Sequence, residues 1–468
     1  MKAVIVGGGI VGFQIAKKLV EIDANVVLIE SDQVRAEYLS NHLDCLVIND
    51  EGNNIKVLRQ AGISDADYFI SMTNDDSVNL ICCELADQGP YKIARVKNLD
   101  YASTERLKQN LRSIDLVVNP QAEAAEKIIH AVEHGAYSDV FSFISGRLRM
   151  RNLLITADSP FLGRSISDIK EQMPYDFLVA GIVRHDRFIV PTGDTQVKHE
   201  DNLYILASAG DIETIFDEIG VVKTGIRDIL IIGGGKIGRQ VAAHFMNAES
   251  PASSVLNRIV RPNGQTVKQR EVRSIKIIER DYEKCKSLVK DFPSSMIINA
   301  DISDESLFKE ENLGRYDLII TATDRHELNV LSALYAKKMG VKRAISVANN
   351  LNYINMAIRL GIDVVVSPKN SIIDPIFKHI QTGVFKSVHS IADTEVDVIE
   401  TFVKEKSRIA GKRVRDIHLP ARSLILAVTR DGKNTIPDGG FIIESGDDLI
   451  VMSKEESVAR LNKLFAEK

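Results

Sequence analysis

A glycine-rich turn occurs twice in the chain, and its two copies limit the folds that the sequence can adopt. The first copy is VIVGGGIVG at Val4–Gly12, and the second is LIIGGGKIG at Leu230–Gly238. Each copy follows a short apolar run and precedes apolar residues at helical spacing, which indicates a strand, a tight turn and a helix. Because such a unit opens a doubly wound parallel sheet, the sequence predicts one α/β domain in each half.

The residues after each turn continue the same order of strands and helices. NVVLIE in the first half is matched by SIKIIE in the second, and DYFISMTNDDSVNL is matched by YDLIITATDRHELNV. A module of shorter strands follows each sheet, with VPTGD in the first matched by IPDGG in the second. We therefore predict a tandem duplication of two Rossmann-like doubly wound parallel-sheet domains, each followed by a small α+β module.

The duplication predicts four segments along the chain. They are a first sheet domain at residues 1–134, a first small module at 135–224, a second sheet domain at 225–385 and a second small module at 386–468. The copies differ most at Asn247–Arg273, an insertion rich in Ser, Asn, Arg and Gln. We interpret this insertion as an exposed loop.

The overall composition excludes several classes of protein. Of the 468 residues 44% are hydrophobic and the formal net charge is −5, which is typical of a globular protein without general affinity for nucleic acid. The apolar runs are shorter than the roughly 20 residues that span a bilayer, and four cysteines without paired spacing predict no disulfide framework. Because Met1 leads directly into a strand, we expect no signal peptide and a cytoplasmic protein.

The glycines of each turn have separate roles in a dinucleotide site. Gly7 permits the turn, Gly9 lets a pyrophosphate approach the backbone, and Gly12 lets the helix pack closely on the strand. Free N–H groups at the start of the helix would then bind phosphate oxygens. In the second copy the same roles fall to Gly233, Gly235 and Gly238. For either copy, a tight turn that binds no ligand is the alternative.

An acidic residue ends the second strand of each sheet, where the adenosine ribose lies in a dinucleotide site. Glu30 follows Gly12 by 18 residues, and its carboxylate can accept hydrogen bonds from both ribose hydroxyls. It would repel a 2′-phosphate, so NAD is favoured over NADP, while ATP and ADP stay open as ligands. Glu279 is the counterpart in the second copy. A solvated acid at a strand end is the alternative for Glu30.

Polar residues at the ends of later strands complete the two predicted crevices. Asp50 and Asp301 end the third strands, near the expected adenine. The fourth strands end over the crevices in polar pairs, at Thr73 and Asn74 and at Thr323 and Asp324. Capping of the helix predicted at Asp75–Ala86 is the alternative role for the first pair.

Two basic residues, Arg95 and Lys97, end the fifth strand of the first sheet and could neutralise phosphate. A surface or interface salt bridge is the alternative for both. Elsewhere we interpret HAVEH at His130–His134 as a polar helix face and Cys82–Cys83 as core.

We expect no enzyme and no metal site, because the sequence shows no Ser/His/Asp or Cys/His constellation. The small modules also carry no cluster of acid–base groups. An NAD-dependent dehydrogenase with a duplicated fold is the alternative function, and a structural adaptor with empty turns is a third.

Longer stretches of the chain carry a specific resemblance. IVGGGIVG, LIESDQVRAEYLSNHLDCLVINDEG, TNDD, FISGRLRM, IIGGGKIG and IIERD, in this duplicated order, resemble the TrkA family of Trk-system potassium uptake regulatory proteins. The resemblance covers essentially the whole chain, and the family carries paired RCK (KTN) nucleotide-binding domains. It implies a cytosolic subunit, peripheral on the inner face of the cell membrane. Such a subunit would dock on a Trk-type membrane potassium transporter and work as a homotetramer.

The resemblance also implies which residues hold NAD(H), with ATP and ADP competing for the same crevices. In the first copy they are Glu30, Thr73, Asn74, the basic end of the fifth strand and the turn residues Gly7, Gly8, Gly9, Ile10 and Val11. In the second copy they are Glu279 and the turn residues Gly233, Gly234, Gly235, Lys236 and Ile237. Nucleotide binding would bias the assembled ring between conformations and so gate ion flow.

The second copy departs from the first at three places. Asp324 stands where the first copy has Asn74, and SVANN stands where the first copy has RVKNL, so the basic pair is lost. The insertion at Asn247–Arg273 also lies beside the second glycine turn. Because added negative charge disfavours phosphate, we expect the second crevice to bind nucleotide more weakly.

Overall fold

The computed structural model of the chain describes the greater part of its residues. The described ranges are 1–86, 89–98, 114–133, 140–144, 146–185, 187–219, 226–247, 258–260, 266–268, 274–304, 307, 310, 312–380, 385–391, 394, 396–420, 422–454 and 457–465. They form two compact units. One comprises Met1–Asn119, Asp139–Val221 and Ile372–Lys468, and the other comprises Pro120–Ser138 and Val222–Ser371.

The first sheet is parallel, and its described strands follow the order β3-β2-β1-β4-β5-β6. These strands are β1 (Lys2–Val6), β2 (Asn25–Glu30), β3 (Leu46–Asn49), β4 (Tyr68–Ser71), β5 (Tyr91–Arg95) and β6 (Leu116–Val118). Its helices are α1 (Ile10–Glu21), α2 (Gln33–His42), α3 (Ile55–Gln60) and α4 (Asp76–Leu85). Because β1 pairs with β2 on one side and β4 on the other, a crevice opens beyond its carboxyl end.

Helix α5 (Pro120–Glu133) and the first small module follow. The module contains β7 (Val140–Phe143), β8 (Leu148–Leu154), α6 (Ile166–Gln172), β9 (Phe177–Arg184), β10 (Arg187–Ile189), β11 (Asn202–Ser208) and α7 (Asp211–Glu218). Its strands form an antiparallel sheet in the order β10-β9-β11-β8-β7.

The second parallel sheet repeats the topology of the first, in the order β16-β15-β12-β17-β18-β19. Its strands are β12 (Asp228–Ile232), β15 (Ser274–Glu279), β16 (Met296–Asn299), β17 (Leu318–Thr321), β18 (Arg343–Val347) and β19 (Val364–Val366). The helices are α8 (Lys236–Asn247), α9 (Tyr282–Asp291), α10 (His326–Lys338), α11 (Leu351–Arg359) and α12 (Pro368–Ser371). Most of the insertion lies outside the described residues, but β13 (Arg258–Val260) and β14 (Thr266–Lys268) within it pair antiparallel.

The second small module also repeats the first. It contains α13 (Ile373–His379), β20 (Phe385–Ser390), β21 (Val396–Phe402), β22 (Leu424–Arg430), β23 (Lys433–Thr435), β24 (Asp448–Lys454) and α14 (Val458–Phe465). Its sheet order, β20-β21-β24-β22-β23, is the order of the first module read from the opposite edge. The predicted fold class and the tandem duplication are therefore confirmed.

The helix that follows each parallel sheet does not pack where the predicted segments place it. Ile128 and Val132 of α5 belong to the core of the second sheet, together with Ile229 and Val241. In the other unit, Lys18 of α1 lies over the ring of Phe377 in α13, with 5.8 Å between the amine and the ring centroid. The apolar face of each helix requires a sheet to cover it, but the sequence periodicity did not reveal which sheet.

The two small modules pack face to face in the same unit. Met150 and Leu206 of the first module share one buried cluster with Val398 and Met452 of the second. Within the residues that the structure describes, every helix is too short or too polar to span a lipid bilayer.

Candidate functional site

The first glycine turn is sterically fixed at two of its glycines and open at a third. Gly7 has a φ of +97°, and a Cβ there would lie 2.9 Å from the backbone nitrogen of Thr73. A Cβ on Gly12 would lie 1.9 Å from the carbonyl oxygen of Gly7. Nothing lies within 4 Å of a Cβ on Gly9. Larger side chains are thus excluded from the turn itself, while the space above Gly9 is open to a ligand.

Glu30 lies directly against this turn. Its Oε2 accepts a hydrogen bond from the backbone N–H of Gly8 at 2.7 Å, and its Oε1 accepts one from Asp32 at 3.0 Å. Each carboxylate oxygen keeps a further lone pair. The side chain is therefore held by the backbone and can still accept hydrogen bonds from two adjacent hydroxyls.

The end of β3 supports the same strand end. Asp50 donates its backbone N–H to the carbonyl oxygen of Glu30 at 3.1 Å, and its exposed side chain accepts from the backbone N–H of Glu51 at 2.7 Å. The amide of Asn49 donates to the carbonyl oxygens of Glu30 and Ser31 at 2.9 and 3.2 Å. Sequence reasoning missed Asn49, although the second copy repeats it as Asn299, which donates to Glu279 and Arg280.

A buried asparagine, Asn79, joins the ends of β4 and β5. Its Oδ1 accepts hydrogen bonds from the backbone nitrogen and the hydroxyl of Thr73, at 2.8 and 2.7 Å. Its Nδ2 donates to the carbonyl oxygen of Arg95 at 2.9 Å. The N-cap of α4 is Asp75, whose carboxylate accepts hydrogen bonds from the backbone N–H groups of Ser77 and Val78. The capping role considered for Thr73 and Asn74 is therefore wrong.

Arg95 is 7% exposed and points to the loop that follows β4. Its Nη1 donates to the carbonyl oxygen of Thr73 at 3.1 Å and to Oδ1 of Asn74 at 3.0 Å. Its buried Nε has no hydrogen-bond partner, and burial lowers the pKa of the guanidinium while Asp76 opposes this shift. Arg95 is therefore not a surface ion pair but a desolvated cation beside the crevice.

Lys97 extends the same cationic edge. Its Nζ donates to the carbonyl oxygen of Asn74 at 2.6 Å. The carboxylate of Asp76 accepts the backbone N–H groups of Lys97 and Asn98 at 2.9 Å each. Arg95 at the end of β5 and Lys97 just after it thus both hold the loop at Asn74 in place.

Arg35 is a further cation that sequence reasoning missed. Its Nε donates to the carbonyl oxygen of Gly8 at 2.7 Å, and its guanidinium lies 4.8 Å from the ring centroid of Tyr38. Ile10 begins α1 beside it and is 48% exposed, whereas Val11 is buried. No motif distinguishes Arg35 in the sequence, because it lies in the ordinary helical pattern of α2.

The second crevice repeats the backbone frame of the first. Gly233 has a φ of +102°, and a Cβ on Gly238 would lie 2.0 Å from the carbonyl oxygen of Gly233. The N–H of Gly234 donates to Oε2 of Glu279 at 2.8 Å. Gly235, like its counterpart, has open space around its Cβ position. The two turns are therefore nearly superimposable in their contacts.

Asn329 plays the part of Asn79 in the second crevice. Its Oδ1 accepts from the backbone nitrogen of Thr323 at 3.1 Å, and its Nδ2 donates to the carbonyl oxygen of Val347 at 3.0 Å. The strand register pairs Thr321 with Ser346, as it pairs Ser71 with Ala94 in the first sheet.

This register corrects one detail of the sequence comparison. Val347 and Asn349 stand where the first copy has Arg95 and Lys97, so SVANN was aligned one residue out of step with RVKNL. The predicted loss of the basic pair is nevertheless correct. Asn349 instead lies 2.7 Å from Nε2 of His326, which stands where the first copy has Asp76.

Cations approach the second crevice from other elements. Nη1 of Arg280 lies 3.8 Å from Oδ2 of Asp301, and hydrogen bonds from Ser303 lower the pKa of Asp301, helped by the charges of Arg280 and Arg325. Lys236 is exposed where α8 begins, and Ile237 after it is buried; Asp324 and Arg325 are both exposed before α10. Sequence reasoning missed Arg280 and Arg325.

Among the described residues, no group of three or more His, Cys, Asp or Glu side chains is arranged to hold a metal ion. His134, the end of the HAVEH stretch, lies outside those residues.

Cys82 and Cys83 are buried as predicted, and burial raises the pKa of Cys82 to about 11.

Comparison with known proteins identifies the chain at the level of the family. The TrkA-N domain family matches residues 3–120 and 256–368, and the TrkA-C domain family matches residues 150–220 and 398–466. The chain belongs to the TrkA family. The resemblance drawn from the sequence is thereby confirmed, and both copies of each domain type are matched.

Curated relatives of this family match the chain along its length. The Trk system potassium uptake protein TrkA of Halomonas elongata is 28% identical over 459 residues, covering 96% of this chain and 95% of that protein. TrkA of Haemophilus influenzae is 27% identical over 476 residues, covering 99% and 98%. The chain is thus similar to potassium uptake proteins of comparable length.

Solved structures share the fold at lower sequence identity. A GsuK channel bound to NAD has a TM-score of 0.53 at 17% identity, covering 99% of this chain and 78% of that one. The GsuK RCK domain has a TM-score of 0.53 at 16% identity, covering 99% and 94%. These likenesses agree with the paired parallel sheets and small modules described above.

Proposed function

We propose that the chain is a nucleotide-binding regulatory subunit of a Trk-type potassium uptake system. Membership of the TrkA family supports the link to potassium uptake. The glycine turns and strand-end carboxylates support the nucleotide: in both crevices a backbone N–H of the turn is bonded to Glu30 or Glu279. That doubled arrangement is the observation on which the proposal depends.

NAD(H) is the ligand that this geometry favours. Open space above Gly9 would admit the pyrophosphate, and the N–H groups at the start of α1 would bind it. The carboxylate of Glu30 would accept the ribose hydroxyls and repel a 2′-phosphate. The fold likeness to a GsuK channel bound to NAD is consistent with this ligand. ATP and ADP carry the same adenosine, and we propose them as competitors for both crevices.

The proposed first crevice is built from Gly7–Val11, Glu30, Asp50 and the ends of β4 and β5. Its cations Arg95 and Lys97 hold the loop after β4, and phosphate oxygens would compete with Asn74 for them. Binding would thus be felt by α4 through that loop. A ligand of this kind regulates only if one conformation of the assembly binds it better than another.

We further propose a cytoplasmic homotetramer on the inner face of the membrane, in contact with the transporter subunit. The named function of the curated relatives supports the transporter as partner. Membership of a family named for potassium uptake supports a binding role over a dehydrogenase.

Isothermal calorimetry with NADH, NAD, ATP and ADP tests the proposal. We expect saturable binding of at least one of them, and we expect Gly9→Ala to remove it at the first crevice without loss of stability. Gly89→Ala, at a glycine whose Cβ position is also open, is the matched control. Absence of binding by all four ligands at millimolar concentration would refute the nucleotide role.

A further inference from the structure

The second small module carries a strongly cationic loop between β21 and β22, here called the cationic loop (residues 403–423). Its exposed basic side chains are Lys406, Arg408, Lys412, Arg413, Arg415 and Arg422. The same loop contains only two acidic residues, Glu405 and Asp416. Because the whole chain has a formal net charge of −5, this concentration of positive charge is a local property.

The corresponding loop of the first module shares backbone contacts with it up to the start of α6. The backbone N–H of Gly163 donates to the carbonyl oxygen of Val197 at 2.9 Å, and the backbone N–H of Gly411 donates to the carbonyl oxygen of Ile443 at 2.8 Å. An isolated antiparallel β-bridge pairs Ser165 with Gln196, and another pairs Arg413 with Ile442. The residues around these contacts can therefore be compared one by one.

That comparison shows that the fold does not require the charge. The first module has Asp158 at the position of Lys406, and Ser167 at the position of Arg415. Its loop also carries Asp168, the counterpart of Asp416. Two loops that share these backbone contacts thus differ in the sign of their charge.

The cations of the loop are available to a partner. Within the described part of the chain, none of the six basic side chains forms an ion pair or a side-chain hydrogen bond, and each is exposed. An apolar side chain accompanies them: Ile442, bridged to Arg413, is 45% exposed, where the first module has Gln196. Exposed cations beside an exposed aliphatic side chain are typical of surfaces that bind at a membrane interface.

We propose that the cationic loop docks the second small module on anionic phospholipid headgroups. A leaflet of anionic lipid attracts basic residues at about 1 kcal/mol each, or roughly fivefold in partitioning per residue. The loop has no Phe, Tyr or Trp on which nucleic-acid bases could stack, which favours lipid over single-stranded nucleic acid. This docking is separate from nucleotide binding and does not depend on the crevices being occupied.

Vesicle flotation with the full chain tests the proposal. The vesicles contain equal amounts of phosphatidylglycerol and phosphatidylcholine, and vesicles of phosphatidylcholine alone serve as the reference. The variant Lys406→Asp/Arg413→Ser/Arg415→Ser gives the loop the residues of the first module. Arg164→Asp/Lys170→Asp makes the same change of charge in the first module and is the matched control.

We expect the chain to float with anionic vesicles and not with neutral ones. The loop variant should bind at least about a hundredfold more weakly, since the loss of three basic residues alone contributes roughly fivefold each. The control variant should bind within about twofold of the parent chain. Binding should also weaken as salt shortens the Debye length from about 10 Å at 0.1 M.

Three results would overturn the proposal: equal flotation with both vesicle types, equal loss in the control variant, or retention on DNA or an acidic peptide without vesicle binding. Circular dichroism melting of each variant distinguishes a charge effect from unfolding. NADH calorimetry on the loop variant separates this proposal from the nucleotide role, since the loop contributes no residue to either crevice.

Discussion

The two crevices have the same frame and different charges. In both, a glycine turn is bonded to a strand-end glutamate, and a buried asparagine ties the fourth strand to the fifth. In the first crevice Arg95 and Lys97 supply positive charge from the end of β5 and the residues after it, whereas Val347 and Asn349 stand there in the second. The second crevice has Arg280 and Arg325 on other elements, and Asp324 adds a negative charge next to Arg325 in the chain.

The difference shows which parts of a duplicated site are constrained by folding. The frame consists of backbone and buried polar groups, whose loss would leave unpaired donors and acceptors. Apart from the buried Arg95, the charges lie at exposed or half-exposed positions, where substitution costs little stability. A duplicated chain can therefore change the ligand affinity of one crevice while it keeps both folds.

The largest expected effect tests the shared carboxylate. Glu30→Ala should weaken NADH binding at the first crevice by roughly 1.5–3 kcal/mol, because hydrogen bonds to a charged group are lost. Glu279→Ala, in the second crevice, should leave NADH binding at the first crevice unchanged. An NADH affinity unaltered by Glu30→Ala would remove Glu30 from the site.

The shared backbone should be equally sensitive in both copies. Gly12→Ala and Gly238→Ala place a Cβ 1.9 and 2.0 Å from a carbonyl oxygen. Each should lower the free energy of unfolding by about 1–3 kcal/mol. Urea denaturation measures this, with Gly9→Ala and Gly235→Ala as controls of little effect. A large loss in Gly9→Ala would contradict the open space seen there.

Exchanging one residue between the crevices should reduce the difference between their nucleotide affinities. Lys97→Asn should weaken binding at the first crevice, and Asn349→Lys should strengthen it at the second, each by about 1 kcal/mol for one exposed charge near a phosphate. Calorimetry that resolves two phases should show them converging in the double variant. Two phases that are already equal in the parent chain would disprove the predicted weakness of the second crevice.

The smallest effect concerns the added acid. Asp324→Asn restores the residue type of Asn74 and should improve binding at the second crevice by about 0.5 kcal/mol, since an exposed charge is screened by water. Raising the salt concentration should erase most of this gain. Weaker binding after Asp324→Asn would indicate that Asp324 itself contacts the ligand.

The sequence was sufficient for the frame of the fold and for the residues that repeat. Gly7, Gly12 and Glu30 have strict spacing because backbone geometry demands it, so their positions could be predicted from the repeat. Asn79 also repeats, as Asn329, but a single buried amide carries no recognised motif. Its role became evident only when its hydrogen-bond partners Ser71, Thr73 and Arg95 were located.

Other features could not be predicted because local patterns do not encode them. Arg35 reaches the turn from a helix whose other residues are ordinary, and Arg280 and Arg325 have no counterpart in the first copy. The periodicity of α5 indicates that one face is buried, but not what buries it. Such choices are decided by tertiary packing.

The positions of α5 and α13 have a consequence for any attempt to divide this protein. A gene cut between residues 224 and 225 would give an N-terminal piece without Ile376 and a C-terminal piece without Ile128, although both side chains are fully buried in the intact chain. Each piece would expose to water the apolar core surface that the missing helix covers, and would tend to aggregate. Co-expression of the two pieces should restore solubility, because the N-terminal piece carries α5 and the C-terminal piece carries α13, and each helix completes a core of the other piece.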